Sequence, residues 1–167
     1  MGDVEADFIV SGRDGHGILL TVSDRKLRVS FIEQILVVTI PNVHRAFERI
    51  RQRYPELRTI TTDNDLLFKR HKDLERELGV QIYFCHPYHS WEKGTIEHTN
   101  GVIREDIPKG SDIAQYSKKL ITAAETKVNA RYMECLNFRT PNEALKLHRE
   151  RKKAREMRKK EKRGCSD

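Results

Sequence analysis

Apolar residues in this chain follow one period at the start and another afterwards. Up to residue 32 they alternate or run together in short stretches. Ala6 to Ser11 predicts a first strand. Gly17 to Val22 predicts a second, apolar enough to be central in a sheet. Leu27 to Ile32 alternates as a third. The Gly-Arg-Asp-Gly-His-Gly run from Gly12 to Gly17 reads as a hairpin loop, and Ser23-Asp24-Arg25-Lys26 as a turn. An antiparallel meander follows. From Pro41, a residue suited to a helix start, the period becomes helical. Val43, Ala46, Phe47 and Ile50 form one apolar stripe, and Pro55 ends it. Leu57 to Thr62 predicts a strand, Leu66 to Leu78 a helix closed by Gly79, and Val80 to Cys85 a strand. A meander followed by strand, helix, strand, helix and strand implies a mixed sheet with helices on its faces.

Beyond the loop from His86 to Gly94, Thr95 to about Asp106 predicts a helix, broken by Pro108-Lys109-Gly110-Ser111. Ile113 to about Leu136 reads as one long amphipathic helix. Its apolar face is explained by the core, although the same face could support a homodimer or higher oligomer. Thr140-Pro141-Asn142-Glu143 carries an N-cap, a proline at the first helical position and an acid in the first turn, starting a short helix through Leu147. From His148 the sequence is charged apart from Ala154 and Met157, so a helix without packing support, hence mobile, is expected. The implied division is a core over 1–147 and a basic helical tail over 148–167. No internal repeat is present.

Composition narrows the class. A chain of 167 residues fits one domain with an appendage. No apolar stretch approaches the roughly 20 residues of a membrane helix, and Met1-Gly2-Asp3-Val4-Glu5 lacks the features of a signal peptide. Cys85, Cys135 and Cys165 form no CxxC pair. Reduced thiols in a cytoplasmic protein without zinc are therefore expected. The net charge is +7, of which the segment from Arg149 to Asp167 carries +6, with 10 basic and 4 acidic residues. Such a tail attracts polyanions, DNA foremost, and Arg151, Lys152 and Lys153 are candidate contacts. A solvated helix with no specific partner would look the same.

Three acids are candidates for chemistry. Asp7 lies in the first strand, Asp63 ends the strand that closes with Thr59-Ile60-Thr61-Thr62, and Glu97 falls near the start of the helix from Thr95. Magnesium prefers oxygen ligands. Carboxylates from two strand ends and a helix can hold two such ions about 3.5–4 Å apart, clamping the attacking and leaving oxygens of a phosphodiester. On the helix, Gly101 and Arg104 share a face with Glu97, with Asn100 close by, a stripe suited to DNA. Ile96, Ile103 and Ile107 fall elsewhere and should pack inward. Singly, each acid has a plainer reading. Asp63-Asn64-Asp65 is good turn chemistry, and Glu97 suits the helix macrodipole. His86 and His89 are poor evidence for zinc with no cysteine nearby, and His98 reads as solvated.

The ordered motifs are more specific than any one of them. Glu5-Ala6-Asp7, Leu20 to Lys26, Thr59-Ile60-Thr61-Thr62-Asp63-Asn64, Phe84-Cys85-His86-Pro87-Tyr88, Trp91 to Gly101, Pro108 to Asp112 and Asn137-Phe138-Arg139-Thr140-Pro141 span most of residues 5–147. In that order, with 33 residues between Asp63 and Glu97, the chain resembles the DDE transposases and retroviral integrases. Within these it most resembles insertion-sequence transposases of the IS-thirty branch. The resemblance implies an α/β ribonuclease-H-like fold, a five-stranded mixed sheet flanked by helices. It implies Asp7, Asp63 and Glu97 as a metal-binding triad, with two Mg²⁺ or Mn²⁺ ions when DNA is bound. Asn100 and Arg104 match positions that touch substrate DNA, and Trp91 and Lys93-Gly94 would lie at the mouth of the site. Expected partners are transposon ends and a target duplex in a bacterial, nucleoid-associated setting, with no membrane. Asp65 stands where such proteins carry glycine, and Val4 where a tryptophan often stands. Because the first matching acid is the seventh residue, an isolated core without an end-reading helix-turn-helix region is expected. The expected activity is DNA cleavage and strand transfer. A catalytically impaired DNA-binding or oligomerisation module, or a hydrolytic nuclease, is the alternative.

Overall fold

In the computed structural model, which describes residues 1–86 and 93–164 (side chains only to 159), the meander becomes three antiparallel strands. They are β1 (Asp3–Val10), β2 (Ile18–Asp24) and β3 (Ser30–Ile35). Two further strands, β4 (Thr59–Thr62) and β5 (Gln81–Phe84), add in parallel to β1, giving the order β3-β2-β1-β4-β5. The helices are α1 (Ile40–Arg53), α2 (His71–Leu78), α3 (Gly94–Asp106), α4 (Lys118–Asn129) and α5 (Pro141–Gly164).

Alternation divides the sheet into two unlike faces. Val4, Ala6, Leu20, Val22 and Ile60 share one apolar cluster with Val43, Ala46, Phe47 and Ile50 of α1 and Leu74 and Leu78 of α2. Each large side chain buried there contributes about 1.5–3 kcal/mol. The opposite face carries the odd-numbered residues of β1 and β2. Ile9 and Leu19 pack with Ile32 of β3, Val102 and Ile103 of α3, and Ile121 and Val128 of α4. Farther along the same face the residues become polar: Glu5, Asp7, Thr21 and Ser23, the last two paired across the ladder with Asp7 and Glu5. Ser23 Oγ and Ser30 Oγ lie 2.7 Å apart, and Ser23 Oγ donates to Thr99 Oγ1 of α3 at 3.1 Å. This polar half of the face positions α3.

Several elements differ from the pattern-based expectation, each because a side chain redirects the backbone. The third strand begins at Ser30, not Leu27. Asp24 accepts from the backbone N–H groups of Lys26 and Leu27 at 2.8 and 2.6 Å, and Arg28 is left-handed at φ 58°. Leu27 and Val29 are buried from this turn, which made it read as strand. The helix expected over Leu66–Leu78 is a 3₁₀ turn at Leu66–Phe68 followed by α2. Asp65 caps that turn, accepting from Leu67 N at 2.8 Å. Its φ of −75° is extended, so the left-handed geometry of a replaced glycine is not adopted. Gly79 does close α2 in the left-handed conformation, at φ 64°. The long helix expected from Ile113 to Leu136 is three pieces: 3₁₀ turns at Ile113–Gln115 and Glu134–Leu136 with α4 between. Asp112 and Ser117 each cap a new start by accepting from a backbone N–H.

The last helix starts where Thr140 predicts and continues past Leu147 to Gly164. Glu143 N donates to Thr140 Oγ1 at 3.2 Å, and Thr140 N donates to Glu143 Oε2 at 2.8 Å, a reciprocal capping box. Arg149 then grips Glu56 with two nitrogens, at 2.8 and 2.9 Å. Thr140→Ala is expected to cost about 1 kcal/mol, read as a lower urea midpoint.

Both margins of the sheet are occupied. On β3, Ser30 N donates to Asn129 Oδ1 at 2.8 Å and Ile32 N to Glu125 Oε2 at 2.6 Å. On β5, Ile82 N donates to Glu75 Oε1 at 2.8 Å. Among the described residues no helix is long and apolar enough to cross a membrane.

Candidate active site

β1 and β4 are parallel neighbours with Glu5 opposite Thr61. Two residues further along each chain come Asp7 and Asp63, level with one another and on the polar face. Lys93 joins them. Its Nζ lies 3.3 Å from Asp7 Oδ1 and 3.2 Å from Asp63 Oδ2. The residue is buried although it carries an ammonium. Burial alone would pull its pKa down, but the carboxylates of Asp7 and Asp63 outweigh that and hold it above the ordinary lysine value. Two anions, one from within β1 and one just past the end of β4, thus converge on one cation.

The other Asp7 oxygen is held from α3. Asn100 Nδ2 donates to Asp7 Oδ2 at 2.8 Å, and Thr21 Oγ1 lies 2.9 Å from Asn100 Oδ1, donating to it. With its carbonyl engaged by Thr21, the amide turns its NH₂ to the carboxylate. Two residues earlier in β1, the buried Glu5 accepts from Ile96 N of α3 at 2.8 Å and from Arg25 Nε at 2.9 Å. The spacing has a geometric cause. Two strand residues advance about 6.6 Å, and four helix residues about 6 Å. Glu5 and Asp7 therefore meet Ile96 and Asn100 in register, fixing α3 along β1. Ile96, Ile103 and Ile107 are fully buried, as their positions on the helix predict.

Glu97 lies on the exposed side of α3, in its first turn. Among the described residues no three His, Cys, Asp or Glu side chains gather closely enough to hold a metal. Asp7 and Asp63 are brought together, and Glu97 does not close a triad with them. Gly101 is exposed on the same helix, with nothing within 4 Å of the place a Cβ would take. Arg104 Nη1 donates to the carbonyls of Ile107 and Pro108 at 3.4 and 3.2 Å, capping the end of α3. Arg151, Lys152 and Lys153 are exposed on α5. Trp91 and His89 lie outside the described residues.

Some contributors were not singled out in the sequence. Glu5 and Asp7, two apart in one strand, had to share a face, and that period was legible. The roles of Thr21 and Thr99 were not, since both depend on which helix covers the strand.

Oxygen donors of the kind a hard divalent cation prefers are present. Asp7 and Asp63 already share one positive group, so these two residues fit a metal site.

No protein-family model matches the chain. Over 146 residues it is 39% identical to a transposase of insertion sequence IS4351 from Bacteroides fragilis, covering 87% of this chain and 44% of that one. Its homologues are insertion-sequence transposases. The InsI transposase of IS30A from Escherichia coli strain K12 is 31% identical over 147 residues, covering 87% of this chain and 38% of the relative. The chain thus spans less than half the length of these two relatives. The catalytic core domain of BIV integrase superimposes with a TM-score of 0.65 at 18% identity, covering 92% of this chain and 98% of that one. The five-stranded sheet and its helices have the ribonuclease-H-like fold of such cores.

Proposed function

We propose that this chain is the catalytic core of a metal-dependent DNA transposase, cleaving a strand at a transposon end and joining it to a target duplex. The observation that carries this is the convergence of Asp7, within β1, and Asp63, just past the end of the parallel β4, on a single cation. Homology to insertion-sequence transposases supports it. When bound, a pair of Mg²⁺ or Mn²⁺ ions supplies charge neutralisation at the scissile phosphate and acidifies the attacking water or 3′-hydroxyl.

The chain's own residues supply position. Asp7 and Asp63 would hold the ions, with Glu97 joining from α3 by a change of rotamer or a small movement of that helix. Asn100, locked by Thr21, keeps one Asp7 oxygen directed and leaves the other to Lys93. Lys93 has to leave the two carboxylates before they take a metal, and its ammonium is then available to a DNA phosphate. The exposed Gly101 offers no side chain to keep a strand from α3, and Arg104 lies one turn farther on. Arg151, Lys152 and Lys153 would add non-specific attraction for DNA.

A labelled transposon-end oligonucleotide incubated with the chain, target DNA and Mg²⁺ or Mn²⁺ tests the reading. Joined products support it. Hydrolysed ends without joining indicate a nuclease, and metal-independent binding alone a DNA-binding module. The exposure of Glu97 is what keeps those second readings in view.

Lys93 gives a separate prediction. Its ammonium and a divalent cation compete for the same oxygens. Lys93→Met is therefore expected to bind Mn²⁺ on the order of tenfold more tightly in calorimetric titration. An affinity equal to or below that of the unmodified chain would show that the ammonium does not compete.

A further inference from the structure

We propose that a groove on α5, separate from the carboxylates, binds a single nucleic-acid strand and that Phe138 stacks on one of its bases. The groove, of about 930 Å³, lies between α5, the β2–β3 turn and the loop before Thr140. Its lining is strongly cationic: Lys26 and Arg139 on one side, and Arg151, Lys152, Arg155 and Arg158 from the helix. Glu156 is the one acidic lining residue among those described. Arg151, Arg155 and Arg158 fall on one face of α5 over about 10 Å of helix. Leu27, Leu136 and Leu147 supply an apolar lining between the charges. A row of guanidinium groups beside apolar surface matches a phosphodiester backbone with its sugars and bases.

Phe138 makes the match more specific. It stands between Asn137 and Arg139, both of which line the groove. Its backbone is left-handed at φ 56°, and its side chain is 72% exposed. A bulky residue in that region costs about 1–2 kcal/mol, and here no burial of the ring offsets it. The conformation is held by the loop itself. Asn137 N donates to Glu134 O at 2.8 Å, Phe138 N to Met133 O at 3.0 Å, and Met133 pairs with Arg139 as an isolated bridge. Tyr132, 74% exposed, precedes the loop. Glycine or asparagine would suit the backbone better, and any polar residue would suit the water. An exposed ring whose two chain neighbours line a cationic groove has the form of a stacking platform for an unpaired base. A closed duplex presents no base face to it.

The test uses the full chain in EDTA, with fluorescence anisotropy of a labelled single strand and of its blunt duplex. The strand is expected to bind more tightly than the duplex. Phe138→Ala is expected to weaken strand binding about tenfold and leave duplex binding unchanged. Phe138→Trp should retain strand binding. Phe138→Gly, which suits the left-handed backbone, should lose it without loss of fold. Arg151→Glu combined with Arg155→Glu should weaken both ligands. Strand binding within about twofold of the unmodified chain in both the alanine and glycine variants overturns the stacking role. Unchanged binding on charge reversal overturns the groove. Because no divalent ion is present, these outcomes do not depend on Asp7 or Asp63, and failure of strand joining would be a separate result.

Discussion

Asp63→Asn is expected to remove strand joining, by about 10³-fold or to below detection. Asparagine keeps the volume and one carbonyl oxygen but removes the charge. Two anions on one cation are the basis of the proposed site, and the substitution leaves Asp7 alone to hold it. Asp63 is half-exposed and pairs with Lys93, so the fold should not suffer. A melting temperature near that of the unmodified chain would confirm that the loss is chemical. Asp7→Asn should be as damaging, with some loss of order in α3 because Asn100 bonds to that carboxylate. Glu97→Gln separates the candidate roles. If it is inactive, Glu97 reaches the metal during the reaction. Full joining activity in both Asp63→Asn and Glu97→Gln would remove the proposed mechanism.

The largest stability effect is expected at Asp24. This aspartate is fully buried and accepts four hydrogen bonds: from Gly2 N at 2.7 Å, Lys26 N at 2.8 Å, Leu27 N at 2.6 Å and Tyr54 Oη at 2.8 Å. Tyr54 is itself fully buried. Burial, and then the Asp24 carboxylate, push its hydroxyl well above the ordinary tyrosine pKa, so it remains a donor. Hydrogen bonds to a charged group contribute about 1.5–3 kcal/mol each, and buried donors left unpaired cost about 1–3 kcal/mol each. Asp24→Ala should therefore destabilise the chain by at least about 4 kcal/mol, close to the total stability of a marginal domain. Tyr54→Phe, which removes one donor and leaves the carboxylate three others, should cost only about 1–2 kcal/mol. Urea unfolding measures both. A midpoint for Asp24→Ala close to that of the unmodified chain would falsify this assignment of the buried carboxylate.

The fold was legible where periodicity acts alone. The stripe of Val43, Ala46, Phe47 and Ile50 placed α1, and alternation placed the strands to within a few residues. Boundaries failed where one polar side chain bonds to a neighbouring backbone N–H. Asp24, Asp65, Asp112 and Ser117 each do so, and none interrupts the hydrophobic pattern. The acids of the site stood out because they sit in ordered motifs, Asp7 within an apolar strand and Asp63 just past the end of another. Lys93 was expected at the mouth of the site but not between the two acids, since the position of a long side chain depends on packing from a distant segment. The exposed side of α3 was legible as a polar stripe, but that Glu97 does not gather with the two aspartates was not.

The carboxylates and amide that accept from two outer N–H groups of β3 and one of β5 have a consequence for strand addition. An open sheet ordinarily invites a neighbour to add a sixth strand. Here that invitation is withdrawn at Ser30, Ile32 and Ile82. A second copy of this chain is therefore refused a place in the ladder at those three groups.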